Sequence, residues 1–554
     1  MSYRRLAASA AVLAAGVSLI PGAAHAADPS TGQGKAHKVA APGADQTATK
    51  STAFDSPATR SARTTAPAAG KAAASPQAAA DAATAANVTV GLHATTVTGK
   101  GLKLDTSVTS TTANQLNISI DWGDNQYGNE TATGTKTVST PHTYYRLGTY
   151  TIKVTVTDSV TQESATNELV VTTEGSAYTP YGPKRLLDTR NGTGAPQKKV
   201  APYSSARVQI GGNGGIPAGV TAVVLNVTVT NATSGGHITA FAEGDVKPTT
   251  SNLNFTPGQT VPNLVIVPVG ANGYVDLYNG GWESVDLIAD VTGYFTQSDT
   301  NGYTPMAPVR FVDTRTGLGT AKGQVPGYGT FSTQITGVNG VPYTAKAVAL
   351  NVTVTNPKSD GHLTVYPSGQ PAPTASNVNF TTGQTIANAV IVPVGPDGRI
   401  NIRNGGWYGA DVIVDVVGYY SPESANSYLP VQPARLFDTR TDESGLEGRS
   451  YIAHFLGSGY PHTKGFALNT TVTNTRDAGF LSVSPDPYTK EEYQNGTAGW
   501  PATPTSSTLN WTAGKTVPNL VQASTGWTGV IDYWNQSDGD IDLIVDLFGV
   551  YTDN

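Results

Sequence analysis

The 554-residue chain has no cysteine and only two methionines, and charged residues make up just 13% of it. Without cysteine there is no disulfide framework and no thiolate chemistry. The formal net charge of −6 is small and of the wrong sign for nucleic acid or an anionic membrane as the main partner. Past the N-terminal region no apolar run reaches the roughly eighteen residues that a spanning helix needs, so the mature chain has no membrane-spanning segment. Also missing are a G-x-S-x-G elbow, an H-E-x-x-H pair and a Gly-rich phosphate loop opening a helix. No catalytic residue is therefore assigned, no cofactor is expected, and metal binding is left undecided. Glycine (61) and proline (35) are plentiful instead, which suits an all-β extracellular protein with turn-rich connections.

A fixed period organises most of the chain. RLLDTR at Arg185 returns as RFVDTR at Arg310 and RLFDTR at Arg435, one copy every 125 residues. LNVTVTN at Leu225 returns at Leu350 and, as LNTTVTN, at Leu468. DLIADVTGYF at Asp286 returns as DVIVDVVGYY at Asp411 and DLIVDLFGVY at Asp542. Each copy is a structural unit, and function has to be sought in what the copies share or withhold.

Arg4 and Arg5, the apolar stretch Leu6 to Ile20 and Ala24-His25-Ala26 read as a signal peptide over 1–26. General secretion is favoured over the twin-arginine route, and no cysteine follows for a lipid anchor. Residues 27–86 are rich in Ala, Thr, Ser and Pro and nearly devoid of large apolar side chains, which predicts a disordered linker.

Residues 87–175 alternate apolar and polar at Asn117 to Asp121, stop at Trp122-Gly123-Asp124, and alternate again from Gly148 to Asp158. WGD…HTYYRLGTYTIKVTVTD resembles the PKD family of immunoglobulin-like sandwiches. That resemblance implies a spacer or interaction module beside secreted enzymes and surface proteins. Trp122 and Tyr150 read as a core indole and a strand anchor, with a ligand platform as the alternative.

The repeats, 177–300, 301–425 and a divergent 426–554, contain β-branched runs of strand length such as Val223 to Thr230, punctuated by Gly-Asn, Pro-Gly and Asn-Gly turns. Six to nine short strands in each predict a β-sandwich or jelly roll with its own core, strung as beads. The Y-x-P-x-x-P segments opening at Tyr178, Tyr303 and Tyr428 predict polyproline II joints.

Charged residues recur at matching places: Arg185, Asp188, Arg190, Asp286 and Asp290; Arg310, Asp313, Arg315, Asp411 and Asp415; Arg435, Asp438, Arg440, Asp542 and Asp546. If the DTR hexapeptide is a strand, Leu186, Asp188 and Arg190 share one face and Arg185, Leu187 and Thr189 the other. Apolar flanks favour a partly buried ion network fastening the terminal strands. A triplicate acidic ligand or metal pocket is the alternative. His237 and His362 hold equivalent positions where copy three has Phe480, which reads as packing.

For contact with a ligand, the turns Asn279-Gly280-Gly281-Trp282 and Asn404-Gly405-Gly406-Trp407 stand out, with Trp534 taken as the third aromatic. An exposed indole beside amides and hydroxyls is suited to stacking on a sugar ring. An indole lying over the sandwich edge is the structural alternative. Copy three also carries an insert from Tyr488 to Pro504 with Trp500, a terminal cap or a specialised binder.

The unit R-[LF]-x-D-T-R…LNVTVTN…DVxGY[FY] resembles a repeat of secreted proteins in high-GC Gram-positive bacteria, often joined to cell-wall hydrolases, peptidases or PKD modules. It implies an extracellular β-sandwich accessory module. The expected function is a secreted, non-enzymatic binding or adhesion protein, free or held at the cell wall. Its expected partner is a polysaccharide, a cell-wall glycan or another surface protein, bound weakly at several sites. An extracellular hydrolase with its site in copy three or between modules is the second reading.

Overall fold

The structure is a computed structural model that describes residues 38–40, 51–64, 87–298, 300–441, 445–455 and 462–553. The predicted signal peptide lies outside these residues. Within the compact unit Gln33–Asn554 the fold is nearly all β, built from separate antiparallel sandwiches.

In the first sandwich, strands Thr89–Thr96, Gly101–Thr109 and Lys136–Thr143 face strands Gln115–Asp121, Tyr127–Thr133, Thr149–Asp158 and Ser164–Thr172. Trp122 is buried and stacks on His142 with ring centroids 4.2 Å apart, so it is a core residue and no ligand platform. Tyr150 lies flat on buried Tyr144 at 3.8 Å.

The prediction of a disordered linker fails for residues 51–64. Strand Ala53–Ser56 pairs with Thr89–Thr96, and Ala62–Thr64 pairs with Ser164–Thr172, so this segment extends both sheets of the sandwich. Composition measures the side chains a segment can bury, whereas an open sheet edge offers main-chain hydrogen bonds to any sequence. Buried Ser56 adds a bond to Asn167 of the sandwich. Strand Lys38–Ala40 likewise pairs, in parallel, with Tyr451–Phe455 of copy three. Residues 41–50 and 65–86 lie outside the described part.

Among the described residues each repeat has eight strands. In copy one these are Ala177–Asp188, Ser204–Gln209, Ala222–Thr230, Gly236–Ala242, Leu253–Phe255, Val261–Pro268, Tyr274–Asn279 and Asp286–Thr296. Counted within the copy, they form sheets in the orders 1-8-3-6 and 2-7-4-5, the two-sheet jelly roll, and copies two and three repeat this pairing. Every copy has its own apolar core.

The 1-8-3-6 sheets are buried on both faces, and strand Ala222–Thr230 shows why. Val223, Leu225, Val227 and Val229 enter the core of copy one, while Ala222 and Val224 join a cluster shared by all three copies. That shared cluster also contains Leu264 and Ile266, Ala389 and Ile391, and Leu520. Its centre is aromatic. Tyr178 of copy one stacks on Tyr420 of copy two at 4.2 Å, Tyr303 packs on Tyr551 of copy three at 4.3 Å, and Tyr428 packs on Phe295 of copy one at 4.5 Å.

Polar contacts run round the same circle. Asn388 donates to Asn226, Asn519 to Asn351, and Asn263 to Asn469. Asn226 in turn donates to the Ser376 carbonyl, Asn351 to Ser507 and Asn469 to Ser251. Each link joins equivalent positions of successive copies, and the third link returns to the first copy. Such head-to-tail contacts close a ring, so the repeats form a trimer of jelly rolls written in one chain.

The prediction of polyproline II joints is corrected. The Y-x-P-x-x-P segments are the first halves of strands Ala177–Asp188, Gly302–Asp313 and Ser427–Asp438. The prolines fall where the ladder is interrupted, after Pro180, Pro305 and Pro430. Each tyrosine ring covers a glycine of the closing GY[FY] or GVY motif: a Cβ on Gly293, Gly418 or Gly549 would collide with Tyr178, Tyr303 or Tyr428. The tyrosine hydroxyls donate to the carbonyls of Thr292, Val417 and Phe548.

Candidate functional site

The DTR hexapeptide does not continue as a regular strand, and the predicted alternation of its faces is corrected. A register shift between Arg185 and Leu187 turns Arg185 to the side of Asp188, and the strand ends at Asp188, before Thr189 and Arg190. Arg185 then makes a two-pronged pair with Asp290, at 2.9 and 3.1 Å, and reaches Asp188 at 3.1 Å. Arg190 folds back on Asp188 with bonds of 2.9 and 2.7 Å instead of reaching the closing strand. Asp286 accepts from the Thr189 hydroxyl and from Asn231.

Copy two repeats the arrangement with Arg310 on Asp415, Arg315 on Asp313, and Thr314 and Asn356 on Asp411. In copy three Arg435 meets Asp546 through Nε alone and turns a second nitrogen to Asp438. Arg440 holds Asp438, and Thr439 and Asn474 hold Asp542.

Bonds from Arg190 and Arg440 hold Asp188 and Asp438 below the ordinary carboxylate range against the opposing effect of burial. At Asp313 burial is the largest single influence, yet the bonds and charge of Arg315 outweigh it. Asp290 and Asp415 behave oppositely, because burial raises them by more than Arg185 and Arg310 lower them. Asp546, with its fork broken and Oδ2 lacking a donor, is pushed up to about 6 by burial. The guanidinium sits at the mouth of each pair and keeps part of its hydration, so the desolvation cost falls on the carboxylate. With every carboxylate committed to an arginine, threonine or asparagine, the arrangement works as a fastener between terminal strands. Among the described residues no group of His, Asp and Glu is placed to hold a metal ion.

The turn tryptophans divide. Trp282 and Trp407 are 75% and 73% exposed. Trp534 is buried, and its proposed ligand role is corrected: it lies on strand Val530–Asn535, paired with Tyr451, at the position of Tyr278 in copy one. Asn279 and Asn404 are also fully buried and cannot meet a ligand. Asn279 donates to the carbonyls of Val200, Ala201 and Glu283 and accepts from the Gly281 amide, which shapes the turn that lifts Trp282 outward. Asn404 and Asn535 do the same in their copies. His237 and His362 are packing groups that lie against Gly280 and Gly405, where any Cβ would strike the imidazole. Copy three has Gln536 in place of the glycine and Phe480 in place of the histidine.

Each exposed indole has an aromatic partner that was not singled out in the sequence. Tyr203 meets Trp282 edge to face at 5.7 Å, and Tyr328 meets Trp407 at 5.3 Å. Both tyrosines are themselves about half exposed, and both have positive φ, 52° and 58°. A bulky residue held there is strained, and the surrounding ladder imposes the strain. Arg449, also at φ 58°, is their equivalent in copy three, and Asp538 is the equivalent of the tryptophan. These two form an exposed ion pair at 2.9 Å. The signal was available in the period: Tyr203 and Tyr328 stand 125 residues apart, as Trp282 and Trp407 do, and copy three loses both aromatics together.

No protein-family model and no curated protein sequence matches the chain. Among solved structures it is similar to a SusE-like protein, at 13% identity and a TM-score of 0.12, covering 37% of this chain and 96% of that one. It is similar also to carbohydrate-binding modules of the β-sandwich superfamily, at 11% identity and 0.13, covering 59% and 93%. A third is the Sulfolobus turreted icosahedral virus, at 10% and 0.15, covering 64% and 85%. Alignment at these scores carries no argument about function.

Proposed function

We propose that this chain is a secreted, non-enzymatic binding or adhesion protein that takes carbohydrate at the aromatic pairs Tyr203/Trp282 and Tyr328/Trp407. The observation that carries this reading is an exposed edge-to-face aromatic pair repeated at equivalent places and held there by a strained tyrosine. A pyranose ring offers an apolar C–H face to an indole and hydroxyls to the polar groups beside it. In a closed ring of copies equivalent points stand at one height along the pseudo-threefold axis, so the two pairs can engage one polymer or one wall surface together. The first sandwich serves as a spacer of the PKD type, and export follows from the N-terminal sequence. A glycan array with a polysaccharide pull-down tests the reading. Binding without product release, lost in the Trp282→Ala/Trp407→Ala double variant while the fold persists, supports it. Unchanged binding per folded molecule overturns it.

A further inference from the structure

The turns that lift the two exposed indoles differ at the next residue, which is Glu283 in copy one, Tyr408 in copy two and Gly539 in copy three. In every copy its carbonyl accepts from the buried asparagine of the turn: from Asn279 at 2.9 Å, Asn404 at 2.8 Å and Asn535 at 2.9 Å. One backbone position thus carries an acid, a phenol ring or no side chain at all.

Copy two fixes this position from both sides. The Tyr408 amide donates to the Ser359 hydroxyl at 3.1 Å, whereas the equivalent Ser234 of copy one turns to the Gly235 carbonyl at 3.3 Å. The same loop is tied to the turn a second time, by the Lys358 amide on the Gly409 carbonyl at 3.0 Å. Loop and turn therefore brace each other, and Trp407 and Tyr408 stand outward from a fixed main chain.

Tyr408 is 65% exposed, and among the described residues its side chain has no ring contact, hydrogen bond or ion pair. Trp407, by contrast, is engaged edge to face with Tyr328. Successive Cα atoms are about 3.8 Å apart, so the Tyr408 ring starts one residue beyond the pair and is a separate apolar surface. A glycan chain laid on Trp407 brings its next sugar unit to that surface, where a second C–H face can stack. In copy one the next unit meets the exposed Glu283 carboxylate instead. A carboxylate has no ring face, and its hydrogen bonds to sugar hydroxyls largely replace those it already makes with water.

We infer that Tyr408 gives the site of copy two a second sugar subsite that copy one lacks, so that copy two holds two successive units of a neutral glycan chain and copy one holds a single unit on Trp282. This rests on the carbohydrate reading of the aromatic pairs. The residue after the indole then sets the length of glycan that each copy recognises, on a turn whose buried asparagine is the same in both.

Ligand-observed NMR with matched neutral gluco-, chito- and manno-oligosaccharides of increasing length tests this on full-length single-site proteins. Trp407→Ala reports copy one, and Trp282→Ala reports copy two. Affinity at copy two is expected to rise severalfold from one sugar unit to two and then level off, while at copy one it stays level throughout. In the Trp282→Ala chain, Tyr408→Glu should abolish the rise and Tyr408→Phe should keep it, with the melting temperature unmoved at this exposed position. Tryptophan-dependent binding with one length profile at both sites overturns the inference and leaves the aromatic sites standing, as does a rise that survives Tyr408→Glu or is lost in Tyr408→Phe. Binding that neither tryptophan substitution changes, or no binding of any series, overturns both this inference and the carbohydrate reading.

Discussion

Copies one and two differ from copy three at the same two surface positions: Tyr203/Trp282 and Tyr328/Trp407 against Arg449/Asp538. The backbone does not distinguish them, for all three residues at the first position keep φ between 52° and 58°. A shared scaffold thus holds a strained residue outward, and the side chain placed there decides between an aromatic platform and a solvated ion pair. The same division recurs at the junctions. Arg185 and Arg310 each reach a carbonyl of the next copy, Thr374 and Thr505, whereas at the junction of copy three with copy one Gln432 donates to the Val246 carbonyl, beside the Asn469 bonds. Gln522 also enters the shared core where the other copies have Ile266 and Ile391, and it donates to Tyr420 and Tyr551. Copy three is the one whose surface and junctions have diverged while its fold has not.

The largest expected effect sharpens this division. Asp290→Ala leaves the buried side of Arg185 without its two-pronged partner and should cost about 3–5 kcal/mol in chemical denaturation. Asp546→Ala should cost clearly less, because Asp546 has one arginine bond and an oxygen with no donor. Equal losses would show that the broken fork has no energetic meaning.

Next comes the pH dependence of copy three. Asp546 sits near 6 when folded and near 3.8 when exposed, so its contribution is complete below about 3.8 and is lost as pH rises through about 6. That loss is about 3 kcal/mol at most. Hydrogen exchange in strand Asp542–Thr552 should quicken over this window, and Asp546→Asn should flatten the response. A response that survives the substitution would move the cause elsewhere.

Gly293→Ala forces Tyr178 off the closing strand and out of the shared aromatic centre, at a cost of about 1–3 kcal/mol. If the ring of copies is closed in solution, the melt of the full chain should shift as one transition. A shift confined to copy one would mean that the copies unfold independently.

The smallest stability effect belongs to the aromatic pairs. Trp282→Ala with Trp407→Ala should change stability by no more than about 0.5 kcal/mol per site, as for other exposed positions, while sugar binding falls sharply. Placing tyrosine and tryptophan at Arg449 and Asp538 should add a third site. A double variant that melts early and binds normally would make the indoles structural.

The sequence by itself determined the period, the strand composition of each copy and the recurrence of arginines and aspartates at the two terminal strands, whereas which arginine meets which aspartate came from the structure. These are legible because a 125-residue recurrence, β-branched runs and matched charges are local patterns. It could not show that LNVTVTN has two buried faces. Asn226 and Thr228 alternate with the core valines, and the neighbouring copies make their side interior too. The same holds for Tyr178, Tyr303 and Tyr428, whose prolines suggested polyproline II joints although their rings meet in the cluster shared by the three copies. Nor could it place Asn279 inside and Trp282 outside, since one turn contains both and the buried carbonyls of Val200 and Ala201 decide which side chain is held. Periodicity reports which side chains share a face. What covers that face depends on chain segments remote in sequence, and only the closed tertiary structure brings them into contact.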